Sequence, residues 1–475
     1  MKFSSKLVAE HLEVPLADEG RFEQIIESWQ DARLNTYVDT RGEVEQGNVC
    51  YVVCLASEHL ASEYLNREKG GNLNGKMAEI LGLLSTLGEP VVGQQQYYLH
   101  QPNPKTLLGS GKLQQVAHNA KHAGANMLVI DAKLTPSQTR NIEMQTGFAV
   151  CDREAIILNV FLRHAQTKAA RIQVEIAQLQ YLRPRIRGIG LNMDQQAGGI
   201  GASRGAGETA SQLLARQLDN RLVQLQKSAD KLNKASANQR KSRRGCRQAA
   251  LVGYTNAGKT SLMNALTQAG LSAKDAPFET LDTTTRVLST QPGRQLLLSD
   301  TVGFIRQLPQ SLLASFESTL AQTREADLLV IVIDVSDPEC ALHLQTTLEV
   351  LSKLGTDDIE KLFVFNKVDK YIGEDLQGYC ADVCKDVCGS NDFVMVSSLQ
   401  PAKVLTLKQT IAKKLTAAQQ TAKVFVPHNA TTALSKLYAN CQIMDNEANE
   451  KGSLFTIQAD KAMVAHIKLL AKEVA

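Results

Sequence analysis

The chain has 475 residues, is 43% hydrophobic and 21% charged, and carries a net charge of +3. That length exceeds one ordinary domain and fits about three, with a composition typical of a globular protein that buries a core. No run approaches the roughly 18 apolar residues of a membrane span, and the opening MKFSSKLVAEHLEVPLADEG lacks the apolar stretch of a secretory signal, so a cytoplasmic protein is expected.

Residues 1–46 are polar and acidic with little periodicity, and are expected to be a small extension. From Cys50 the run CYVVCLA predicts a strand, MAEILGLLSTLG a helix and VVGQQQYYL a second strand. KLQQVAHNAKHAG then predicts a helix, NMLVID a buried strand, and SQTRNIEMQTG a helix ending at a glycine cap. This alternation predicts a small α/β domain over 47–165. LLGSGK at 107–112 lacks the spacing of a phosphate loop and is expected to be a turn before a helix.

Residues 166–235 predict two amphipathic helices. Ile172, Ile176, Leu179 and Leu182 form one stripe, and Leu214, Leu218, Leu222, Leu225, Ala229 and Leu232 the other. Between them, from Gly188 to Gly207, the chain is rich in glycine and is expected to be an irregular hairpin tip, flanked by Arg183, Arg185, Arg187 and Arg204. Gln166 to Arg247 holds sixteen Lys or Arg against five Asp or Glu, net +11, so the rest of the chain is net −8. Such a local block is the electrostatic footprint of a partner rich in phosphate, and a basic glycine-rich tip suits close approach to RNA; a solvated loop is the competing reading. Residues 236–247 predict a basic linker.

Residues 248–420 carry the chemistry. RQAALVGY predicts a strand running into GYTNAGKT, then a helix, which is the context a phosphate loop requires. Gly253 and Gly258 let the backbone of Gly253, Tyr254, Thr255, Asn256, Ala257 and Gly258 wrap a phosphate chain at a helix N-terminus. Lys259 places a cation over the β and γ oxygens, and the Thr260 hydroxyl is a magnesium ligand. LLLSDTVGF predicts a buried strand ending in Asp300, Thr301, Val302 and Gly303, where the carboxylate serves magnesium through water and the Gly303 amide senses the γ-phosphate. LLVIVIDVSD and KLFVFNKVD predict two further parallel strands. The second ends in Asn366, Lys367, Val368 and Asp369; this carboxylate can accept from both the ring N–H and the exocyclic amine of guanine, which adenine does not offer. VMVSSL supplies a last strand and a turn, Ser397, Ser398 and Leu399, whose amides can reach the guanine carbonyl. PFETLDTTTR, including Phe278, Glu279, Thr280, Leu281 and Asp282, is the expected switch loop, with Thr280 and Thr284 as candidate magnesium ligands. Phe304 follows Gly303, where Ras-like GTPases have a water-orienting glutamine, so slow intrinsic hydrolysis is expected. Cys380, Cys384 and Cys388 recur at helical spacing; with no partner pair evident, small apolar packing is favoured over a soft-metal site.

These residues resemble the HflX family of translational GTPases. The likeness spans about residues 90–420 and rests on GYTNAGKT, FETLDTTTR, DTVGFIRQLP, NKVD, CDREAIILNVF, TKAARIQVEIAQLQYLRPR and GGIGASRGAGE. The resemblance implies a mainly parallel P-loop GTPase domain, a preceding α/β domain and helical arm, and a small α/β C-terminal domain over 421–475. It also implies GTP and GDP as bound nucleotides and Mg2+ held by Thr260 and Thr280; a monomer is expected. The implied partner is the large ribosomal subunit, contacted by the arm in ribosome splitting or biogenesis. The chain departs from the family pattern at Glu279, Thr283 and the arm tip. Two alternatives stand beside this reading: a GTP-gated binding module with negligible turnover, and a tRNA-modification GTPase.

Overall fold

In the computed structural model, residues 48–56, 73–197, 210–241, 247–267, 278, 284–288, 296–309, 312, 322–390, 392–417, 420–459 and 461–472 are described. The chain divides into two compact units, Met1–Asp230 with Gln307–Phe316, and Lys231–Arg306 with Glu317–Ala475.

The first unit holds a four-stranded parallel sheet in the order β2-β1-β3-β4, from β1 (Cys50–Ala56), β2 (Val91–Tyr98), β3 (Met127–Asp131) and β4 (Ala149–Asp152). β1 and β3 are buried along their whole length, as a central parallel strand covered on both faces must be. The crossovers are α1 (Leu73–Leu87), α2 (Ser110–His122) and α3 (Pro136–Thr146). α3 shows why the sequence was readable here. Thr135 and Gln138 form a reciprocal capping box, Pro136 opens the helix, and Gly147 closes it at φ 76°. The 107–112 segment leads into α2 at Ser110. β4 and α4 (Arg153–His164), which carried no periodic signal, complete the domain; α4 is buried on nearly every side.

The carboxyl ends of β3 and β4 form a buried charged knot. Arg153 pairs with Asp131 at 2.6 Å and Glu79 at 2.9 Å. Asp152, fully buried, accepts from Ala155 N at 2.9 Å, Leu134 N at 3.2 Å and the Tyr181 hydroxyl at 2.8 Å, and pairs with Arg185 at 3.0 Å. Tyr181 and Arg185 belong to α5 (Lys168–Ala197), so the knot roots this helix in the α/β domain. Paired in this way, the buried charges avoid the cost of an isolated ion.

α5 corrects one expectation. The helix runs through Pro184, Gly188 and Gly190 to Ala197 rather than giving way at Gly188. Each glycine costs about 1 kcal/mol in a helix, and the glycine- and proline-free LNMDQQA after them restores propensity. α6 (Ala210–Lys241) returns antiparallel, tied to α5 by Arg183–Asp219 and Arg221–Glu175. Ile172, Ile176, Leu179, Leu218 and Leu225 are buried on the expected stripes. Arg185, expected to flank the tip facing phosphates, is instead drawn into the buried knot, whereas Arg183 stays at the surface paired with Asp219.

The second unit contains a six-stranded sheet in the order β10-β9-β8-β5-β7-β6. Its members are β5 (Arg247–Gly253), β6 (Thr284–Val287), β7 (Leu296–Asp300), β8 (Leu328–Asp334), β9 (Glu360–Asn366) and β10 (Phe393–Met395). Only the β6–β7 pair is antiparallel. The helices are α7 (Lys259–Thr267), α8 (Cys340–Lys353), α9 (Leu376–Cys388) and α10 (Pro401–Ala417). One apolar core joins Leu251, Leu262, Leu298, Val330, Val364 and Leu407. Cys380 and Cys384 of α9 are buried, and burial pushes the Cys380 thiol up to about 12, so they pack as small neutral groups. A separate antiparallel sheet, β11-β13-β12, is built from β11 (Gln420–Pro427), β12 (Gln442–Asn449) and β13 (Gly452–Ala459). It shares a core with α11 (Thr431–Asn440) and α12 (Lys461–Lys472). Among the described residues no helix is long and apolar enough to cross a membrane.

Candidate functional site

The site lies at the carboxyl ends of β5, β7, β8 and β9, where an open parallel sheet leaves a crevice. β5 ends at Gly253, and the turn through Gly258 delivers Lys259 and Thr260 into the first turn of α7. Gly258 has φ 87°, and a Cβ there would stand 2.4 Å from the Asn366 amide nitrogen, so only glycine fits. That amide donates to Ala257 O at 2.9 Å from a fully buried side chain, tying the end of β9 to the phosphate loop.

Lys259 is only 6% exposed, and its ammonium donates to the loop carbonyls of Tyr254 at 2.7 Å and Gly253 at 3.1 Å. Burial pushes its pKa down to about 8 while Asp300 pulls the other way. A lysine held by carbonyls and starved of solvent is a cation that gains from an incoming anion. The Thr260 hydroxyl donates to the Asp300 carboxylate at 2.8 Å, which brings the end of β7 to the start of α7. Thr301 turns away and donates to Leu251 O.

Gly303 packs directly on the loop: a Cβ there would stand 2.9 Å from Thr255 Cα and 3.0 Å from Lys259 Nζ. Phe304 is stitched to the loop by its backbone, donating to Gly253 O at 3.0 Å and accepting from Thr255 N at 2.7 Å. Its ring is buried in the core, with 1% exposure.

At the other end, Lys367 adopts φ 60° and its ammonium pairs with Asp334 at 2.7 Å, while Val368 N reaches Val396 O. Asp369 lies within the short helix Val368–Lys370 with its carboxylate exposed, and the Ser397 hydroxyl holds its pKa below the usual aspartate value. Ser397 is buried and its oxygen accepts from Leu399 N at 3.2 Å, leaving Leu399 exposed. The carboxyl edge of this sheet thus carries a buried lysine, a hydroxyl–carboxylate pair at Thr260 and Asp300, and the exposed carboxylate of Asp369.

Of the switch loop, Phe278 is buried, whereas Glu279, Thr280, Leu281 and Asp282 lie outside the described residues. Thr284 opens β6 in register with Asp300. The sequence reading missed Asp334, which fixes Lys367; its position at the end of a buried parallel strand was the available signal. It also missed a cluster around Tyr254. The Tyr254 ring stacks on His343 of α8 with centroids 3.8 Å apart, its hydroxyl accepts from Arg306 N at 2.9 Å, and Arg306 reaches Glu339 and His343. No local pattern links residues this far apart in sequence.

Three families match successive parts of the chain: one described as GTP-binding GTPase N-terminal over residues 74–162, one as GTP-binding GTPase Middle Region over 164–243, and one as 50S ribosome-binding GTPase over 248–367. The chain is 34% identical over 430 residues to the GTPase HflX of Gluconacetobacter diazotrophicus, spanning 82% of this chain and 92% of that protein. It is 35% identical over 404 residues to the GTPase HflX of Akkermansia muciniphila, spanning 83% and 92%. Among solved structures it is similar to a GTP-binding protein from Sulfolobus solfataricus in complex with GDP, at 23% identity, 78% and 99% coverage and a TM-score of 0.39. The phosphate loop, the NKVD strand and relatives matched over nine-tenths of their length converge: the chain belongs to the HflX family of GTPases, enzymes that bind and hydrolyse GTP.

Proposed function

We propose that this GTPase acts on the large ribosomal subunit, in ribosome splitting and rescue or in subunit biogenesis, by laying the α5–α6 arm on ribosomal RNA. The observation that carries the reading is the net charge of +11 over Gln166 to Arg247 in a chain of net +3. The description of the family matched at 248–367, a 50S ribosome-binding GTPase, supports the same partner. With Arg185 drawn into the buried knot and Arg183 in a surface pair with Asp219, contact falls to the exposed basic residues of the arm, and Arg187 and Arg204 are proposed to join them. In this reading 1–46 is an extension, 47–165 and 166–235 face the ribosome, 236–247 is a linker, 248–420 the GTPase domain and 421–475 a C-terminal domain. The protein works as a cytoplasmic monomer.

In the nucleotide site, the loop from Gly253 to Thr260 wraps the phosphates and Lys259 neutralises the β and γ oxygens. The Thr260 hydroxyl, 2.8 Å from the Asp300 carboxylate, suits Mg2+ as a direct ligand with Thr280 as the second, and Asp300 would serve the ion through water. Bound there, magnesium supplies charge neutralisation on the β- and γ-phosphates. The Gly303 amide reads the γ-phosphate, and Phe278 to Asp282 form the switch that carries Thr280 to it. Asp369 accepts the two guanine N–H groups, the Lys367 stem lies over the base, and the Ser397–Leu399 amides face its carbonyl. With Phe304 in the core, no side chain at that position can orient water, so hydrolysis is slow until a partner orders the switches.

Sucrose-gradient sedimentation with ribosomal subunits tests the partner. Co-sedimentation with the large subunit is expected with a non-hydrolysable GTP analogue and not with GDP, and is lost when residues 188–207 are replaced. Binding that is absent, or indifferent to nucleotide, sinks the ribosome reading.

A further inference from the structure

The Phe304 ring is buried, and this position is hydrogen-bonded to the phosphate loop through its main chain. Main chain can act in hydrolysis only as accurately as it is held. On one side Phe304 bonds Gly253 O and Thr255 N. On the other side stands Arg306, 6% exposed, whose backbone N–H donates to the Tyr254 hydroxyl at 2.9 Å. Its guanidinium pairs with Glu339 and donates to His343 Nε2 at 3.1 Å.

The start of α8 is shaped for this grip. Glu339 occupies the N-cap position without capping the helix; Asp337 Oδ1 accepts from Glu339 N at 2.9 Å, leaving the Glu339 carboxylate for Arg306. Since the guanidinium can only donate, His343 Nε2 is the acceptor and Nδ1 carries the proton, facing Asp337 Oδ2 at 3.5 Å. The same imidazole stacks on Tyr254 at 3.8 Å with planes 10° apart. Arg306, Glu339, His343 and Tyr254 thus close a ring from the segment after Gly303, through α8, back to the phosphate loop.

We propose that Arg306 is a positioning residue for GTP hydrolysis: gripped by Glu339 and His343, it holds the Gly303–Phe304 main chain against the phosphate loop in place of a water-orienting side chain. This rests on the assignment of that loop as the phosphate site. The grip aligns the reaction rather than the bound nucleotide, so it acts on turnover and spares GDP affinity.

The test uses the full chain and the variants Arg306→Gln, Glu339→Gln and their combination, reading single-turnover GTP hydrolysis, dissociation constants for fluorescent GDP and GTP, and thermal midpoints. Each single variant is expected to slow hydrolysis about ten-fold or more while GDP affinity moves less than about three-fold. The double variant is expected to be no slower than Arg306→Gln, because both changes break one contact. Hydrolysis by Arg306→Gln within about two-fold of the unaltered protein overturns the proposal. So do losses that multiply in the double variant, or a loss of GDP affinity as large as the loss of rate. If Arg306→Gln does not fold, Arg306→Lys replaces it, keeping the charge while losing the fork that spans Glu339 and His343, and an unchanged rate there overturns the proposal equally. Failure of the unaltered protein to bind GDP would instead strike the site assignment.

Discussion

Replacing Asp369 by Asn isolates the reading of the base. The carboxylate is exposed, and its pKa is held low by the Ser397 hydroxyl, so it is ionised throughout the neutral range and free to accept two N–H groups from guanine. Asn offers one carbonyl oxygen and turns an amine towards the other donor. Hydrogen bonds to a charged group contribute about 1.5–3 kcal/mol each, and the substitution weakens one and opposes the other, so a loss of about 3 kcal/mol is expected. That is a roughly hundred-fold weaker GDP dissociation constant. Xanthine, with a carbonyl where guanine has its amine, presents the complementary acceptor, so XDP should bind the variant more tightly than GDP. Competition against a fluorescent GDP, with GDP and XDP as displacers, measures both. Because the residue is exposed, the unfolding free energy should stay within about 0.5 kcal/mol of the unaltered protein. A GDP affinity within about three-fold of the unaltered protein, or no gain for XDP, would refute the assignment of this carboxylate to the base.

Two further substitutions probe the metal and the α/β domain. Thr260→Ala removes one of the paired oxygens 2.8 Å apart, and GDP binding titrated with and without EDTA should lose most of its magnesium dependence; retained dependence would place the ion elsewhere. Glu89 is pushed up from 4.5 to about 7 by burial, against the pull of Asn48 and Arg163. The folded state therefore keeps a proton that the unfolded chain releases, and this group's contribution to stability falls as pH rises from about 4.5 to about 7. Glu89→Gln should remove that slope and stabilise the protein at pH near 7.5 by up to about 3 kcal/mol relative to its effect near pH 5, as urea unfolding at the two pH values would read. An equal effect at both would count against a protonated buried carboxyl.

The legible parts of the site were those in which chemistry is written locally. GYTNAGKT is a strand, a turn and a helix start within fifteen residues, and NKVD follows an apolar strand, so residue order alone pointed to a phosphate loop and to the carboxylate proposed to read the base. The Thr135–Gln138 capping box and Gly147 made one helix of the first domain readable to within a residue. What escaped depends on distance. Asp152 reaches Arg185, and Arg306 reaches His343, only after the sheets bring strand ends and helices together. Such pairs have no period, and a basic residue such as Arg185 reads as a surface charge until its buried carboxylate is in view. The arm showed the opposite error. Glycines at 188 and 190 read as a break, yet a helix of thirty residues absorbs their local cost. Membership of the HflX family also removes the ground for the tRNA-modification alternative.

A partner-controlled switch makes one demand that no feature of the nucleotide site alone can meet. GTP hydrolysis should be measured for the full chain alone, with purified large ribosomal subunits, and with small subunits as the control. A slow basal rate that large subunits raise at least about ten-fold, and small subunits do not, is the result predicted by a buried Phe304 and a basic arm. A rate unchanged by large subunits would contradict the account.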